Sequence, residues 1–480
     1  MNELIGVVPA AGRGTRAYPY TKGIPKCMLD VAGEPNLARI LAIFRDQLGI
    51  KKVVIVTGDH AKVIRDHFGD GSRFGVSITW VENDAIDKGL SYSILCAKPH
   101  VGECFVIILG DECYIQSNHE ELLTNGFHEA LATCAVLDQP APEQVLKNYA
   151  VEVEGGLVRR LIEKPKHLSS SSLLGLGTFL FHRDIFGHLE AALANPALGP
   201  TDPVSVLGRL VRDGHRVRPF YLKGSYVNIN DRDELNLATY LRRTRNFESN
   251  RLGLALLARG RREDPLRAVH EFAGLGRFSE IVLVLDPTQP VPALEACGGA
   301  RVVVAASGEF GTMMRTGLEA LSSDILFTAY ADGSCTPADV PKFLEYLKDA
   351  DVVVGTRTTR QLVHQGANMR GIVRFAHVAM ALILDLVWWG YEPHFTDTGC
   401  SFRAMWRSSW QLIRPRLSEN GPAFAVEMLL ETLQCRRRVI EIPVSFSVRR
   451  KGRHKPEQRV AAAWSLLSLI VRRRLRSLSA

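Results

Sequence analysis

The feature that most constrains this chain is a glycine-rich loop directly after an apolar run at its start. Residues 12–26 read Gly-Arg-Gly-Thr-Arg-Ala-Tyr-Pro-Tyr-Thr-Lys-Gly-Ile-Pro-Lys. Gly12 and Gly14 can adopt backbone conformations that are closed to other residues, so main-chain amides can approach an anion. Arg16 adds a guanidinium that can donate two hydrogen bonds to one anion, and Lys26 adds a compact positive charge. The order of strand, glycine loop and basic arm predicts a triphosphate site, whereas a glycine pair alone would equally indicate a tight strand-to-helix turn.

Composition places the chain among ordinary globular proteins of two or three domains. It has 480 residues, of which 46% are apolar and 23% are charged, so each domain is large enough for its own core. The nine cysteines are scattered without a Cys-x-x-Cys pair, which disfavours a disulfide framework or a zinc site and fits a reducing compartment. A strand pattern begins within four residues of the start, so we expect no signal peptide and a cytoplasmic location.

Positive charge is concentrated in the last part of the sequence. Residues 449–480 hold ten Lys/Arg and one acid, whereas the rest of the chain is close to neutral. This distribution favours an anionic surface or phosphate-bearing substrates over nucleic acid, with a solvated basic helix as the alternative. The apolar runs 378–389 and 460–471 are shorter than the roughly 20 residues of a spanning helix. They are interpreted either as interfacial helices at the inner membrane face or as ordinary packing helices.

Runs of β-type residues alternate with helical patterns in two separate series. The predicted strands cover residues 53–57, 77–81 and 105–109 in the first series and 252–257, 281–285, 302–305, 325–328 and 352–355 in the second. Near-continuous apolar strands separated by helices are typical of parallel sheets covered on both faces. The sequence therefore predicts an α/β protein with two Rossmann-like domains of mixed, mostly parallel sheets. A polar stretch at 240–251 separates domain 1–245 from domain 250–480, which ends in the basic tail.

The opening motif resembles that of the sugar-phosphate nucleotidylyltransferases. Every fixed position of G-x-G-T-R-x-x-P-x-T-x-x-x-P-K is present, and the resemblance covers residues 1 to about 240. It implies a nucleotide-binding loop and catalytic cations. The nucleotide-binding residues are Ala11, Gly12, Gly14 and Thr15, and the catalytic residues are Arg16 and Lys26. It also implies that Asp111, after the predicted strand at 105–109, holds a catalytic Mg²⁺; an ordinary turn aspartate is the alternative.

Three further segments extend this resemblance. In the Glu-Lys-Pro segment, Glu163 and Lys164 are expected to bind the incoming sugar phosphate, with Lys164 as a catalytic cation; a charged surface loop is the alternative. Asn228 stands where many relatives carry the second metal-binding aspartate, and its carbonyl oxygen can also coordinate Mg²⁺. Residues 80–93 occupy the place where the family binds the base and ribose of the nucleotide. The identity of the base is left open by the sequence. The residues assigned to the nucleotide on this basis are Asn83, Gly89 and Ser91.

The second half resembles the family 2 glycosyltransferases, in particular the dolichol-phosphate mannose synthase-like branch, and this implies a GT-A-like domain over about residues 250–456. Asp286 follows the strand at 281–285 and is expected near the nucleotide base. Asp332, in Tyr-Ala-Asp, corresponds to the second aspartate of the family's D-x-D motif and would bind Mg²⁺ or Mn²⁺ on the donor diphosphate. Tyr330 replaces the first aspartate, which removes a negative charge and weakens metal binding.

Later motifs follow the order of the same family. Arg357 lies in a Gly-Thr-Arg sequence, and Asp397 and Arg403 lie in Thr-Asp-Thr-Gly-Cys-Ser-Phe-Arg-Ala. Asp397 is interpreted as the base that deprotonates an acceptor, or as a structural residue if the acceptor is already an anion. Arg449 and Lys455 are expected to bind a donor diphosphate or a lipid phosphate. A basic surface loop is the alternative. Together with the arginines at 357 and 403, they form the predicted phosphate-binding set.

These patterns predict a two-domain enzyme with two activities. The first domain would transfer a nucleotidyl group from an NTP to a sugar or polyol 1-phosphate. The second would transfer a glycosyl group from a nucleotide sugar to an acceptor such as polyprenyl phosphate, and the fusion would concentrate the activated sugar near its consumer. Two alternatives stay open: a second half that is only a binding or membrane-docking module, and a first half that is a nucleotide sensor.

Overall fold

The computed structural model divides the chain into two compact units, residues 1–242 and 243–480. Each unit is described by itself below. The structure describes residues 4–12, 14, 24–124, 130–138, 140–167, 172–195, 197, 199–259, 265–293, 297–358, 372–388, 395–447 and 466–475.

The first unit contains a nine-stranded sheet and two small two-stranded sheets. Its strands are β1 (Ile5–Ala10), β2 (Asp30–Val31), β3 (Glu34–Pro35), β4 (Lys52–Thr57), β5 (Ser77–Glu82), β6 (Cys104–Ile108), β7 (Glu112–Ile115), β8 (Ala132–Leu137), β9 (Tyr149–Glu154), β10 (Leu157–Glu163), β11 (Leu173–His182), β12 (Val217–Tyr221) and β13 (Ser225–Asn228). Its helices are α1 (Asn36–Ala42), α2 (Ala61–Phe68), α3 (Gly89–Cys96), α4 (Pro142–Lys147), α5 (Ile185–Ala194), α6 (Pro203–Arg212) and α7 (Arg232–Thr244), the last of which crosses the boundary between the units.

The centre of the large sheet is parallel and its far side is mixed. Strand β1 pairs in parallel with β4 on one side and β6 on the other, and β5 extends the β4 side. Strand β11 then runs antiparallel to β6 and β8, and β12 pairs in parallel with β8. The hairpin β9–β10 adds to β11. The expected mixed, mostly parallel α/β sheet is confirmed for this unit.

Alternate residues of the central strands fill two separate cores. Val8 and Ile55 belong to the core on one face of the sheet, whereas Val7, Val54 and Phe105 belong to the core on the other. Strands buried on both faces read as continuous apolar runs and need helices on each face. A third, small core around β7 and β13 is formed by Leu29, Val31, Cys113, Ile115, Val227, Ile229 and Ala238.

The second unit contains one seven-stranded sheet around one large core. Its strands are β14 (Leu252–Ala258), β15 (Glu280–Leu285), β16 (Arg301–Val304), β17 (Ile325–Tyr330), β18 (Val352–Thr356), β19 (Arg403–Trp406) and β20 (Val439–Pro443). Its helices are α8 (Pro265–Ala273), α9 (Phe310–Ala320), α10 (Val340–Leu347), α11 (Ile372–Val387), α12 (Arg407–Ile413), α13 (Phe424–Gln434) and α14 (466–475).

Both units build their sheet in the same order. In the second unit the strands lie in the order β16-β15-β14-β17-β19-β18-β20, with only β19 antiparallel to its neighbours. Numbered along the chain from one to seven, this order is 3-2-1-4-6-5-7. The strands β1, β4, β5, β6, β8, β11 and β12 of the first unit follow the same order and directions. The prediction of two Rossmann-like α/β domains is therefore confirmed at the level of the fold.

Helix α14, which carries part of the predicted basic tail, docks on the second unit through an arginine. Arg473 hydrogen-bonds the buried carboxylate of Glu427 and lies 2.9 Å from Oε1 of Glu431. Both glutamates belong to α13 and are almost completely buried. Arg474 stacks over Trp388, with its guanidinium carbon 5.5 Å from the ring centre. Part of the positive charge thus neutralises buried carboxylates within the chain.

In the parts of the chain that the structure describes, none of the helices combines the length and the apolarity that crossing a membrane requires.

We expect acidification to destabilise the first unit through His119. This side chain is fully buried between Ser117 and Thr178, and burial lowers its pKa to about 4. Unfolded histidine binds its proton near pH 6.5. The neutral, buried His119 therefore contributes about 3 kcal/mol to the free energy of unfolding above that pH, and this contribution is lost as the pH falls towards 4. The cost of His119→Gln, measured by denaturant-dependent hydrogen exchange, should therefore shrink between pH 7 and pH 4.5. Thr133→Val, at a buried and non-titrating site, should cost the same at both values, and an equal cost for His119→Gln would contradict the prediction.

Candidate functional site

The glycine loop lies at the point where the strand order of the first sheet reverses. The chain leaves β1 for strands on one side and later returns to β6 on the other, and ligands of open α/β sheets bind outside the carboxyl ends of strands at such a point. Ala11 and Gly12 directly follow β1, and Gly14 has a left-handed φ of 62°. Among the residues that the structure describes, none would meet a Cβ at Gly12 within 4 Å. Thr15 and Arg16 lie outside the described residues.

Lys26 meets two polar residues from distant parts of the first unit. Its Nζ lies 3.4 Å from Oδ2 of Asp111 and donates a hydrogen bond of 2.9 Å to Oδ1 of Asn230. The lysine is only 12% exposed. The structure therefore brings together two residues predicted from separate motifs, and it adds Asn230, which the sequence analysis did not single out.

The loop that carries Asp111 is held by a buried asparagine. Nδ2 of Asn36, at the start of α1, donates to the carbonyls of Gly110 and Glu112, at 3.1 and 2.9 Å. The side chain of Glu112 is buried and accepts hydrogen bonds from Tyr226 and Tyr114. Burial, and then the neighbouring charge of Asp111, raises the pKa of Glu112 to about 8. Asp111 is thus fixed at its backbone on both sides.

Asn228 lies beside this loop because β7 and β13 form a small antiparallel pair. Asn228 is opposite Glu112 in the register, and the amide of Ile229 donates to the carbonyl of Asp111 at 2.8 Å. Nδ2 of Asn228 donates to Oδ1 of Asn148 at 2.9 Å. Its own Oδ1 is buried and has no hydrogen-bond partner within the described part of the chain. The two predicted metal-binding residues of this unit are therefore neighbours.

Lys164 follows β10 in a backbone conformation that is uncommon for a residue with a side chain. Its φ is +44°, and its amide donates to the carbonyl of Asn148 at 2.7 Å. Asn148 therefore contacts both the Lys164 loop and Asn228. No motif pointed to Asn148; a polar residue between a helix pattern and a strand pattern is ordinarily only a cap.

The predicted nucleotide-reading segment lies beyond β5. The Asn83 amide donates to Ser93 at 2.8 Å and accepts from the amide of Ala85 at 2.8 Å, so its side chain shapes the turn. Gly89 has a φ of +81° and begins α3, and a Cβ there would meet none of the described residues within 4 Å. Ser91 is buried and donates to the carbonyl of Thr201. The roles of these residues toward a nucleotide stay predictions.

In the second unit, two predicted aspartates follow parallel strands at the same edge. Asp286 follows β15, and its Oδ1 accepts from the amide and hydroxyl of Thr288. Asp332 follows β17, is 8% exposed, and accepts from the amide of Ser334 at 3.0 Å. Tyr330, in place of the first D-x-D aspartate, packs against Phe310 with ring centres 5.9 Å apart.

Arg357 and Asp397 form a buried bidentate ion pair. The guanidinium donates to the two carboxylate oxygens at 2.7 and 2.9 Å, and the amide of Arg357 adds a third bond. Asp397 is completely buried, and its charge raises the pKa of Arg357 against the effect of burial. Glu441 accepts from the amides of Thr396 and Asp397 at 2.8 and 2.7 Å. Both predicted functional groups thus stabilise each other.

Arg403 occupies a structural position in the interior of the second unit. It is 1% exposed, and its guanidinium donates to the carbonyls of Cys400, Ala425 and Thr398 at 2.7 to 2.8 Å. Burial lowers its pKa to about 10. Arg449 and Lys455, also predicted to bind phosphate, lie outside the described residues.

The site of the first unit offers oxygen ligands rather than a closed metal cage. Among the residues that the structure describes, no group of three His, Cys, Asp or Glu side chains could hold a metal ion. Asp111 supplies a carboxylate, and Asn228 supplies the buried, unpartnered amide oxygen described above. Such hard oxygen donors suit Mg²⁺, which usually takes one or two protein ligands and completes its shell with water and phosphate. The residues present therefore fit this cation.

An α/β sheet with a glycine loop, a lysine and a carboxylate at its switch point is an arrangement typical of phosphate-binding sites. Comparison with known proteins gives the family. Residues 5–228 match the nucleotidyl transferase family. Over 233 residues the chain is 31% identical to a UTP–glucose-1-phosphate uridylyltransferase of Haloferax volcanii, covering 48% of this chain and 93% of that protein. The chain belongs to the nucleotidyl transferase family.

Two further similarities lie at greater distance. The bifunctional protein GlmU of Methanococcus aeolicus is 28% identical over 223 residues, which cover 46% of this chain and 50% of that protein. A solved UDP-glucose pyrophosphorylase of Acinetobacter baumannii aligns with 50% of this chain and 92% of its own, with 21% identity and a TM-score of 0.41.

Removing the negative partner of the buried pair should destabilise the second unit. In Asp397→Asn, the Arg357 guanidinium stays buried without a compensating charge, which costs about 3–5 kcal/mol. Asp349→Asn breaks a partly exposed pair with Arg438 and should cost no more than about 1 kcal/mol. Urea unfolding followed by tryptophan fluorescence compares the two variants. Equal, small costs would contradict a structural role for Asp397.

Proposed function

We propose that the first unit transfers a nucleotidyl group from an NTP to a sugar 1-phosphate and releases pyrophosphate. The observation that carries this proposal is the convergence of Lys26, Asp111 and Asn228 at the carboxyl edge of the sheet, next to the glycine loop. Membership of the nucleotidyl transferase family supports the reaction type. The sugar-1-phosphate acceptors in the names of the relatives support the substrate class.

The reaction needs positioning and charge stabilisation more than covalent catalysis. An oxygen of the sugar phosphate attacks the α-phosphorus of the NTP, a new P–O bond forms, and the bond to pyrophosphate breaks. Main-chain amides after β1 are suited to hold phosphate oxygens, and none of the described residues would meet a Cβ at Gly12 within 4 Å. Lys26, held in place by Asp111 and Asn230, supplies positive charge where phosphate charge accumulates.

Asp111 and Asn228 are the residues that would hold Mg²⁺. When bound, this cation offsets the negative charge that develops on the phosphate oxygens. Lys164 is proposed as the cation for the incoming sugar phosphate, with Glu163 at the end of β10 beside it. Its main chain is fixed by Asn148 while its ammonium remains on a flexible side chain.

Pyrophosphate release tests the proposal. The purified chain is assayed with Mg²⁺, four NTPs and a panel of sugar and polyol phosphates, and release with one pair is expected. Lys26→Ala should lower kcat by about 10²–10³-fold, because a preorganised charge at the reacting phosphates is lost. Lys51→Ala, at an exposed lysine of the same unit, should leave kcat unchanged. Binding of NTP without release from any pair would favour a nucleotide sensor instead.

A second activity is proposed for the second unit, namely glycosyl transfer from a nucleotide sugar. The shared 3-2-1-4-6-5-7 strand order supports it, because Asp332 follows the fourth strand of its sheet as Asp111 follows the fourth strand of the first. Asp286 follows the second strand at the same edge. The resemblance to family 2 glycosyltransferases supplies the reaction class, and Asp332 would hold Mg²⁺ or Mn²⁺.

A polyprenyl phosphate is proposed as the acceptor because α11 exposes an apolar face. Phe375, Leu382 and Leu386 are 74, 61 and 72% exposed, and spacings of seven and eleven residues place them on one side of a helix. Such an apolar face suits insertion into the interface of a membrane.

Asp332→Ala separates the two proposed activities. With polyprenyl phosphate in anionic vesicles and the nucleotide sugar made by the first unit, the variant should lose glycosyl transfer by at least about 100-fold. It should keep pyrophosphate release within about twofold. Asp324→Ala, at a partly exposed ion pair of the same unit, serves as the control. Wild-type protein that transfers no glycosyl group would favour a second unit that only binds or docks.

A further inference from the structure

Asn148 lies where two distant parts of the proposed transfer site meet. It is the single residue between α4 and β9. Its main-chain carbonyl accepts the amide of Lys164, and its side-chain oxygen accepts from Asn228, 80 residues further along the chain. It therefore touches the residues proposed for the sugar phosphate and for the metal, although it belongs to neither motif.

The hydrogen bonds around Asn148 fix the orientation of its side-chain amide. Its Nδ2 donates to the carbonyl of Gln144 at 3.0 Å. A main-chain carbonyl can only accept, so the NH₂ group of Asn148 has to face Gln144. The oxygen of the same amide then has to face the other way, toward Asn228. The orientation is set by helix α4, which supplies the Gln144 carbonyl.

This orientation also decides how Asn228 is placed. Because Asn148 presents an acceptor, Asn228 has to present its NH₂ group, and the observed Nδ2–Oδ1 distance is 2.9 Å. The amide oxygen of Asn228 is thereby left on the opposite side. That oxygen is buried and lacks a hydrogen-bond partner among the residues described in the structure. A buried polar atom without a partner is costly, and a bound cation removes the cost.

The backbone places Asn228 beside Asp111, the second proposed ligand. Asn228 is paired with Glu112 across β13 and β7, and the next amide, that of Ile229, is bonded to the carbonyl of Asp111. Rotation of the Asn228 amide by half a turn would present NH₂ to a cation and lose the ligand. Asn148 is the contact that prevents this rotation.

We propose that Asn148 is a positioning residue, which holds the Asn228 amide with its oxygen toward a divalent cation and ties the Lys164 backbone to that site. This inference rests on the proposed function, in which Asp111 and Asn228 hold Mg²⁺. Residues that orient metal ligands typically change metal affinity or activity by about 10–100-fold when they are replaced.

Two variants at this position separate orientation from mere packing. Asn148→Leu is similar in size but has no acceptor for Asn228. Asn148→Asp keeps an oxygen facing Asn228, but it replaces the donor to Gln144 with a second carboxylate oxygen and adds a negative charge. Both retain the main-chain carbonyl that Lys164 uses. Asn118→Leu is the structural control, since Asn118 is a buried asparagine bonded to Tyr221 and Lys223 in the same unit.

Two readouts are measured for each protein: the Mg²⁺ concentration for half-maximal pyrophosphate release, and Mn²⁺ affinity without nucleotide by electron paramagnetic resonance. For Asn148→Leu we expect the half-maximal Mg²⁺ concentration to rise and the Mn²⁺ affinity to fall, each by about 10-fold or more. We expect kcat to change more than the KM of the NTP. Asn148→Asp should stay within about fivefold of wild type, and Asn118→Leu should change thermal stability alone.

Unchanged metal dependence in a folded Asn148→Leu protein, or equal defects in the Leu and Asp variants, would overturn the inference while leaving the proposed function intact. A wild-type chain that neither releases pyrophosphate nor binds Mn²⁺ would overturn both. If wild type binds Mn²⁺ but shows no turnover, the Mn²⁺ titration still decides the role of Asn148.

Discussion

Burial of the first strand of each sheet between two parallel neighbours is the constraint on which both units depend. β1 lies between β4 and β6, and β14 lies between β15 and β17. Parallel neighbours require crossovers, so the loops that follow these parallel strands emerge at the same edge. This geometry collects Gly12, Asp111 and Lys26 in one unit. It also gives Asp332 a corresponding position in the other.

The parallel strands were predictable because each one is a short, continuous apolar run in the sequence. The strands predicted at 53–57, 281–285 and 352–355 are observed as Lys52–Thr57, Glu280–Leu285 and Val352–Thr356. The small two-stranded sheet of β7 and β13 was not predictable in the same way. β7 and β13 are four residues long and lie more than 100 residues apart in sequence, and their pairing depends on packing around a small core rather than on any periodicity.

Site residues were predictable where they belong to a recognisable sequence motif. They were not predictable where only the folded structure brings them together. The contact between Lys26 and Asp111 joins two recognisable motifs. Asn148 and Asn230 are turn asparagines, indistinguishable in sequence from ordinary caps. Conversely, Arg357 and Asp397 appear in the order expected of a functional site, yet the structure pairs them with each other. Sequence alone does not tell a carboxylate that faces a substrate from one that neutralises a buried arginine.

The contacts of Arg473 on α14 with Glu427 and Glu431 on α13 bear on how the chain reaches its folded state during synthesis. Glu427 and Glu431 leave the ribosome before Arg473, and Glu427 precedes it by 46 residues. Until that arginine emerges, the carboxylate of Glu427, which is fully buried in the folded unit, lacks the Arg473 guanidinium, and burying an unpaired charge is unfavourable. The packing of α14 on α13 therefore has to wait until residue 473 has been translated, when every strand of the first unit has already been made.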